Sequence, residues 1–345
     1  MPIDIIDGFD QYPGVSTAGV GLSANWISTG AGVITLPTGR VGGQCVQLAG
    51  SASARLLTRL LSAMDDEFAG FFAMYYDPNG SALTNKYPIF RLEGGSAVHL
   101  SIGYGVFGEL VVFGPAGTQI AEIGGALQPL TWYSIAFSGV IHDTLGWIKV
   151  WVNGELKIDL SNIDTKNAGA VGVDRISLRA PNASGAGVPV TSFDDVRFDI
   201  GTTAQIKEGR SVPILPVSDS SVQFTPSSGA ANYAMVDETL CDSDTTYNTS
   251  NTVGHEDKFG FGNLAFNPDE IFAVQISIAA RKDDVATRRL QAFIESNAVR
   301  EDAPDFYLGT DYTWRHTIIE SDPDGNIPWT KSSVDALQGG YTIIE

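Results

Sequence analysis

The chain has 345 residues, 43% of them hydrophobic, and its 40 acidic and 21 basic residues give a formal net charge of −19. This length and hydrophobic content suffice for two domains with their own cores and exclude a disordered tail. The negative charge repels polyphosphate, which excludes nucleic acid as an expected partner. Thirty-eight glycines, 16 prolines and few helix-period segments predict an all-β fold of sandwiches or barrels.

Cysteine content and the N-terminal sequence bear on the compartment. Cys45 and Cys241 are the only cysteines and fall in different predicted domains, so we expect no structural disulfide and folding in a reducing compartment. The start, MPIDIIDGFDQYP, lacks the basic and apolar regions of a secretory signal, and no run approaches the roughly 18 apolar residues of a membrane helix. We therefore expect neither membrane insertion nor standard export.

Short strands with loops are predicted from the edge strand Ile3–Phe9 onward. Arg55–Met64 fits helical spacing as well as a strand, and its β neighbours favour the strand. Phe68–Tyr76 is an aromatic strand that ends at the turn signal Asp77-Pro78-Asn79-Gly80. Further strands between turns are predicted at Ile89–Glu93, Val98–Tyr104, Glu109–Phe113, Trp132–Ser138 and Ile176–Arg179.

Gly146–Leu160 predicts a β-hairpin, because two alternating runs flank Asn153-Gly154 and this dipeptide suits a type I′ turn with positive φ at both positions. A two-residue turn predicts one face with Trp147, Lys149, Trp151, Leu156, Ile158 and Leu160, and another with Ile148, Val150 and Val152. A one-residue bulge at the turn would regroup these faces.

The closing strand of the first domain is predicted at Phe193–Ile200. Its alternation predicts Phe193, Asp195, Arg197 and Asp199 on one side and Asp194, Val196, Phe198 and Ile200 on the other. The acidic residues are expected to form the solvated face of an edge strand. Residues 201–216 shift to Thr, Lys, Glu, Ser and Pro, which predicts a linker. The predicted domains are therefore residues 1–200 and 217–345.

The second domain combines an acidic, loop-like stretch at 236–259 with later strands. Thr330 is predicted to N-cap a short helix, Lys331–Gln338, that Gly339-Gly340 stops. Strands are predicted at Ile271–Ala280, Arg289–Glu295, Tyr312–Ile319 and Tyr341–Ile344. The fold class predicted for the whole chain is all-β, with two jelly-roll-like β-sandwich domains and one short C-terminal helix.

Two resemblances add to this interpretation. Residues 3–200, with the hairpin WIKVWVNGEL and the closing FDDVRFD strand, resemble the concanavalin A-like, laminin-G-like jelly roll. Residues 193–345, with QFTPSSGAANYAMVDET, AVQISIAARKDD and PWTKSSVDALQGGY, look like the C-terminal portion of tailed-bacteriophage virion structural proteins. The second resemblance implies residence in a virion assembled in the host cytoplasm, and it implies no activity.

Catalytic and metal-binding spacings are absent from the sequence. Asp195 and Asp199, or Asp194 on the other face, come nearest to the paired carboxylates of a retaining glycosidase, but the E-x-D-x-E spacing is missing. The four histidines lack zinc-ligand spacing. An acidic cluster offers oxygen ligands for Ca²⁺ without the regular calcium-loop spacing, and its members are Asp237, Glu238, Asp242 and Asp244. We predict no metal site, no cofactor and no enzymatic activity.

Aromatic side chains are the best candidates for recognition, because flat apolar rings bind sugars and proteins with little entropy to lose. The predicted ligand- or partner-binding residues are Tyr75, Tyr76, Tyr104 and Trp147. The alternative is that these rings pack in the core or at its rim.

These observations predict a non-enzymatic bacteriophage virion structural protein, associated with the tail or baseplate, whose jelly roll binds a glycan or a protein partner. A capsid decoration protein is the first alternative, and a polysaccharide depolymerase is the second. The expected partners are other virion proteins, a host surface glycan and further copies of the chain, with a trimer favoured because virion sites are symmetric.

Overall fold

The structure is a computed structural model that describes residues 3–16, 20–50, 55–78, 85–105, 107–181 and 189–345. Strands dominate this described part, which contains one short α-helix, so the predicted all-β class is confirmed. The chain divides into two compact units: unit 1 is Met1–Phe9 with Asn25–Ser211, and unit 2 is Asp10–Ala24 with Val212–Glu345. No helix in the described ranges combines the length and the apolar character needed to span a membrane.

These units differ from the predicted domains in two places. Residues 201–211, predicted to be part of a linker, belong to unit 1, and residues 10–24 belong to unit 2. Tyr12, Val20 and Leu22 of that early segment are fully buried. The carbonyl oxygen of Val20 accepts a hydrogen bond of 3.0 Å from the indole N–H of Trp314. Scattered apolar residues in a Gly- and Ser-rich stretch give no local pattern that predicts such a distant contact.

Unit 1 is built from antiparallel strands. In the described residues, these are β1 (Ile3–Asp7), β2 (Ile27–Thr29), β3 (Ile34–Thr35), β4 (Val46–Ala49), β5 (Leu56–Asp65), β6 (Glu67–Asp77), β7 (Lys86–Gly94), β8 (Ala97–Gly105), β9 (Leu110–Phe113), β10 (Gln119–Ile123), β11 (Thr131–Val140), β12 (Gly146–Val152), β13 (Glu155–Ile163), β14 (Val173–Arg179) and β15 (Val190–Ile200). A short 3-10 turn, Pro115–Gly117, precedes β10.

Two sheets form the sandwich of unit 1. Sheet I runs β13-β12-β11-β6-β15-β4-β3, with β1 also paired to β15, and sheet II runs β10-β9-β8-β7-β14-β5-β2. Their inner faces meet in an aromatic core, where Phe72 of sheet I stacks on Phe90 of sheet II with ring centroids 4.9 Å apart. Phe137 of β11 contacts both of these rings. Two antiparallel sheets packed face to face are the jelly-roll-like sandwich that the sequence predicts.

The uncertain segment at 55–64 is a strand, β5, as predicted. The predicted turn after Phe68–Tyr76 lies partly outside the described residues, because Asn79 and Gly80 are not among them. The Asn153-Gly154 turn is confirmed, with φ of 49° and 79° at its two central residues.

A β-bulge regroups the faces of the β12–β13 hairpin. Trp151 pairs with Leu156 as predicted, but Val150 pairs with Ile158, so Lys157 is an extra residue. Ile158 therefore joins the core face and is 3% exposed, whereas Leu156 is 43% exposed. The predicted grouping was wrong from Ile158 onward, because one inserted residue reverses the direction of every later side chain.

A second bulge lies in β15, between Asp194 and Arg197, where Asp195 adopts φ of 51°. The bulge places Phe193 and Val196 on the same, core-facing side, and both are fully buried. The predicted alternation was therefore wrong for Phe193 and Asp194, which precede the bulge, and it holds from Asp195 to Ile200. The predicted edge position was also wrong, because β15 lies between β6 and β4 inside sheet I. Aspartate tolerates positive φ better than most residues, which suits it to the bulge.

Unit 2 has a larger and two smaller antiparallel sheets. Its elements are β16 (Pro216–Ser221), β17 (Thr225–Pro226), β18 (Asn248–Thr249), β19 (Glu256–Phe261), β20 (Val274–Ala280), β21 (Arg289–Ser296), β22 (Val299–Asp302), β23 (Phe306–Tyr307), β24 (Thr313–Ile319), α1 (Lys331–Asp335) and β25 (Gln338–Ile343), with 3-10 turns at Leu22–Ala24 and Asn232–Met235. The larger sheet runs β16-β19-β25-β21-β22 with β23 beside β21, and β17-β18 and β20-β24 form the two-stranded sheets.

The core of unit 2 joins the larger sheet to the β20-β24 ladder and to α1. Its fully or nearly buried members are Ile294, Ile319, Trp329, Val334 and Leu337. Partly buried apolar side chains from β20, among them Val274 and Ile276, pack against this cluster.

Helix α1 begins as predicted and ends earlier. Thr330 forms a capping box with Ser333, but the helix ends at Asp335. Gly339 and Gly340 do not stop the helix, since they lie inside β25. A Cβ atom on Gly340 would lie 1.8 Å from the carbonyl oxygen of Asp257 on β19. The second glycine thus allows a close approach of two strands.

Candidate ligand groove on sheet II

The four predicted aromatic residues do not form one site. Tyr76 and Tyr104 are fully buried between the sheets, with ring centroids 4.8 Å apart. Their hydroxyl groups bond to the carbonyl of Gly105 at 3.0 Å and to the hydroxyl of Thr191 at 2.9 Å. Burial raises the pKa of Tyr76 to about 12. These two tyrosines are core residues, which matches the alternative that the sequence left open and removes them from a surface site.

Tyr75 and Trp147 both lie on the outer face of sheet I, far apart along the strands. Tyr75 pairs with Trp132 of β11, and their rings are 5.5 Å apart. Trp147 pairs with Val140 at the other end of β11. Eight residues of extended chain span about 26 Å, so these two predicted residues cannot contact the same sugar ring.

The aspartates of β15 support the fold. Asp195 pairs with Arg40 at 2.9 Å and accepts a hydrogen bond of 2.7 Å from the backbone N–H of Ser211. Asp194 accepts a bond of 2.8 Å from the backbone N–H of Arg40. Asp199 pairs at 2.6 Å with the arginine two residues before it. Guanidinium and backbone groups engage all three carboxylates, which supports a structural role for them.

Residues 201–211 form a strap over the outer face of sheet I. Ile206 is 5% exposed and packs on Ala69, Phe71 and Ala136, with Trp151 at the rim of this cluster. Arg40 holds the other end of the strap, because it donates to the carbonyl of residue 209 at 2.7 Å and pairs with the side chain of residue 208 at 2.6 Å. The strap therefore covers part of the outer face of sheet I.

A row of outward-facing side chains crosses the outer face of sheet II. Register pairs in adjacent strands connect its members, which are Ile27, Thr58, Ser177, Arg91, Ser101, Phe113 and Gln119. Neighbouring strands lie about 4.8 Å apart, so this transverse row extends for roughly 29 Å. The inner neighbours of these residues, such as Phe90, Ile176 and Leu178, are buried in the core.

A pocket of about 600 Å³ opens onto the transverse row. Side chains that line it include Lys86, Arg91, Ser101, Phe113, Asn167 and Arg179. We call the pocket together with the row the sheet II groove. Lys86, at the edge of the groove, already has partners within the protein, because it pairs with Glu122 and donates a hydrogen bond of 3.0 Å to Gln119.

Two arginines determine the charge of the sheet II groove. Burial lowers the pKa of Arg91, and burial together with the neighbouring Arg91 lowers the pKa of Arg179 to about 10. Glu93 lies beside Arg91, with 3.8 Å between Nη1 and Oε1. Burial raises the pKa of Glu93, while Arg91 lowers it. Two partly desolvated guanidinium groups therefore lie near a carboxyl group whose own charge is disfavoured.

Hydrogen bonds leave much of this guanidinium pair unsatisfied. The Nε atom of Arg91 is buried and has no hydrogen-bond partner within the described ranges. Arg179 donates to the carbonyl of Pro88 at 3.3 Å. Arg175 on the same strand is different, because Asp174 binds it at 2.8 Å. Unmatched donors and excess positive charge suit the groove to an acceptor-rich, anionic group.

Arg91 and Arg179 are not among the site residues predicted from the sequence. Their local signal is visible afterwards: Arg91 alternates with the core residues Phe90 and Leu92, as Arg179 alternates with Leu178. Alternation marks each arginine as outward-facing in a chain that is strongly acidic. It gives no sign that β7 and β14, which are about 80 residues apart in sequence, are neighbours in the sheet.

The acidic stretch of unit 2 does not gather into a metal site. Asp244 pairs with Arg281 at 2.9 Å and accepts a hydrogen bond of 3.1 Å from the hydroxyl of Tyr312. Burial and the adjacent Asp242 raise the pKa of Glu238 to about 7. Among the described residues, no group of three or more His, Cys, Asp or Glu side chains is arranged to hold a metal ion.

Similarity of this chain to known proteins is limited to solved structures. No protein-family model matches this chain, and no curated protein matches its sequence. An endo-β-1,4-glucuronan lyase from the fungus Trichoderma reesei is similar over 50% of this chain and 87% of its own, with 12% identity and a TM-score of 0.39.

Two further solved structures have comparable similarity. An alginate lyase from Chlorella virus matches with 13% identity and a TM-score of 0.38, over 52% of this chain and 94% of its own. The carbohydrate recognition domain of Emp47p matches with 15% identity and a TM-score of 0.39, over 57% of this chain and 97% of its own. At these scores the similarities identify neither a family nor a ligand. The class of this chain is set by its own structure: a jelly-roll-like β-sandwich with a basic groove, followed by a second β unit.

Proposed function

We propose that this chain is a non-enzymatic structural protein of a tailed-bacteriophage virion and that unit 1 is its glycan-binding module. The observation that carries the binding part is the sheet II groove. A concave surface lined by hydroxyl, amide and guanidinium groups, with the ring of Phe113 among them, has the composition of a ligand site. The sequence resemblance of residues 193–345 to virion proteins supports the location.

The dimensions of the groove favour a chain of sugars over a compact small molecule. The transverse row is long, and at the pocket Ser101 and Asn167 supply neutral polar groups beside the arginines. Thr58 and Ser177, farther along the row, bond to each other at 2.8 Å. At its far end Ile27 is 53% exposed, and neighbouring Leu60 is 55% exposed. Apolar patches beside polar groups match the two kinds of surface that a sugar ring presents.

Binding without cleavage fits the groups available near the groove. His99 is buried, its Nε2 atom lies 2.7 Å from the carbonyl oxygen of Val171, and its Nδ1 atom accepts a hydrogen bond of 3.2 Å from the backbone N–H of Asn167. Burial lowers the pKa of His99. The imidazole is thus held in place on both sides, which disfavours a role as general base.

Binding to purified polysaccharides tests the module. The full chain is titrated calorimetrically with a panel of neutral and acidic polysaccharides, and released reducing ends and unsaturated products are measured in parallel. We expect saturable binding to at least one polysaccharide without new ends. Release of new ends would establish a depolymerase instead, and absence of binding to every member of the panel would remove the glycan-binding function.

A steric variant ties the binding to the groove. Ser96 is exposed and lines the pocket, so Ser96→Trp should obstruct ligand entry without disturbing the core. Ser161→Trp, at an exposed position of β13 in sheet I, is the matched control. Binding lost in the first variant and kept in the second supports the groove, whereas equal binding by both places the ligand elsewhere.

The virion location has its own test. Mass spectrometry of purified particles should find the chain, and its absence from them contradicts the proposal. Within the virion we favour the tail or baseplate, with capsid decoration as the alternative, and immunogold labelling of particles distinguishes the two. Light scattering of the purified chain should give the mass of a homo-oligomer, a trimer by preference.

A further inference from the structure

We infer that the sheet II groove recognises an anionic sugar, whose carboxylate or sulfate group is bound by Arg91 and Arg179. The inference rests on the proposed glycan-binding function and adds the charge of the ligand. It begins from the two guanidinium groups, which lie on neighbouring strands of one sheet face and line one pocket.

The arginine pair differs from other arginines of unit 1. Arg40, Arg59 and Arg197 each pair with a well-buried aspartate at 2.6–3.1 Å. Such pairing is the arrangement expected when an arginine serves the fold alone. Within the described part of the chain, the shortest ion-pair distance of Arg91 is 3.8 Å, to Glu93. The pair therefore has binding capacity that the fold does not use.

Repulsion between the two guanidinium groups points to a bound anion. Burial lowers the pKa of both arginines and the neighbouring Arg91 further lowers that of Arg179, while Glu93 opposes both shifts. An anion between them reverses this penalty, because it attracts both charges in a partly desolvated site. Carboxylate and sulfate groups also match the forked donors of arginine.

The overall charge of the chain makes this site selective. A net charge of −19 repels polyanions at long range, so loose electrostatic adhesion does not account for binding. The ligand must offer its charge at short range, next to the arginine pair, because Lys86 at the edge of the groove is already paired with Glu122. A polysaccharide with one acidic group per sugar satisfies this requirement along the length of the transverse row.

Matched ligands and variants test the inference. Full-length protein is titrated with oligogalacturonate, with the same oligosaccharide after reduction of its carboxyl groups to alcohols, and with a sulfated oligosaccharide of similar length. Arg179→Gln is the test variant. Lys149→Gln is the control, because it also removes one positive charge from unit 1 but lies on the outer face of sheet I, paired with Asp159 at 3.4 Å.

We expect the acidic oligosaccharide to bind and its reduced form to bind on the order of ten- to a hundredfold more weakly, the usual range for a lost charge-assisted hydrogen bond. Arg179→Gln should weaken acidic binding by a similar factor and leave neutral binding unchanged, while Lys149→Gln changes neither by more than about twofold. Tighter binding of either the uronate or the sulfated probe identifies which anionic group the site prefers.

Equal binding of the acidic and reduced forms would overturn the inference and leave the glycan-binding function intact. Acidic binding that Arg179→Gln does not weaken would also overturn it. Failure of every probe and of the wider polysaccharide panel would instead remove the glycan-binding function on which the inference rests. Thermal unfolding of both variants establishes that they are folded before titration.

Discussion

Buried acidic side chains in this protein meet two different environments. Asp7 is 1% exposed, accepts a hydrogen bond of 2.8 Å from the indole N–H of Trp26 and pairs with Arg59 at 3.1 Å. Glu238 is partly buried beside two other acids, Asp237 and Asp242, and its pKa rises to about 7. Donors compensate the desolvation of the first carboxylate, whereas neighbouring acids add to the cost of ionising the second.

Glu238 should make unit 2 less stable as the pH rises. Its folded pKa of about 7 exceeds its ordinary value of 4.5, so its stabilising contribution is full below pH 4.5 and is lost as the pH rises through 7. Glu238→Gln, which resembles the protonated acid, should raise the free energy of unfolding near pH 8 by about 1 kcal/mol after allowance for solvent screening. Urea unfolding near pH 8 and near pH 4 measures this difference.

The control for Glu238 is Glu301→Gln, on the exposed strand β22 of the same unit. It should change stability equally little at both pH values. If Glu238→Gln raised the free energy of unfolding equally at both pH values, the effect could not be assigned to the ionised carboxylate.

Arg179 should be dispensable for folding, unlike arginines that pair with a buried aspartate. Arg179→Gln removes the repulsion with Arg91 and should leave the free energy of unfolding unchanged or raise it by up to about 1 kcal/mol. Arg59→Gln should lower it by about 3 kcal/mol, because Asp7 then remains buried without its cation. Calorimetric unfolding of both variants checks the contrast, and a comparable loss in both would contradict it.

At the scale of elements, the bulge in β15 and the strap act together. The bulge turns Asp195 outward at φ of 51°, where Arg40 pairs with it and the backbone N–H of Ser211 bonds to it. Burial raises the pKa of Asp195, although Arg40 opposes that rise. Ile206 packs the middle of the strap on sheet I. A segment with a linker-like composition is thus held at two separate points.

Ile206→Ala should loosen the strap. Removal of a buried isoleucine costs about 2–5 kcal/mol, and here the loss falls on the attachment of one segment. Hydrogen exchange of residues 201–211 should become faster, while exchange within β6 and β11 stays close to that of the unaltered protein. Gln205→Ala, at the exposed neighbouring position, is the control and should leave exchange of the strap unchanged. Faster exchange throughout sheet I would instead indicate general destabilisation of the sandwich.

At the scale of the whole molecule, the chain passes between the two units three times. It enters unit 2 at Asp10, returns to unit 1 at Asn25 and enters unit 2 again at Val212. The early segment supplies buried side chains and the carbonyl that binds Trp314. Each unit is therefore compact, but neither is formed by one continuous stretch of sequence.

A fragment of residues 212–345 should be less stable than unit 2 in the full chain. It lacks the buried residues of the segment 10–24 and leaves the indole N–H of Trp314 without its carbonyl partner. We expect a broad urea transition for this fragment and a sharper one after addition of a peptide that spans residues 10–24. A cooperative transition without the peptide, at the midpoint of the full chain, would contradict the contribution of this segment.

Local patterns in the sequence determined much of the fold. Alternating apolar residues marked the strands, Asn153-Gly154 marked its turn, and Thr330 marked the start of α1. Each of these signals acts through neighbours a few residues apart, so it can be recognised without knowledge of the partner strands.

Tertiary structure alone decided which of these elements meet. Single-residue bulges at Lys157 and Asp195 regrouped the faces, because side-chain direction in a strand depends on every residue between the turn and the position concerned. Two of the four predicted aromatic residues proved to be core for a related reason: burial depends on the opposite sheet. Arg91 and Arg179 became a site only through the pairing of β7 with β14. Local sequence determined where the strands form. Contacts between distant strands determined which side chains line the sheet II groove, because separate charges form a site only when the fold brings them together.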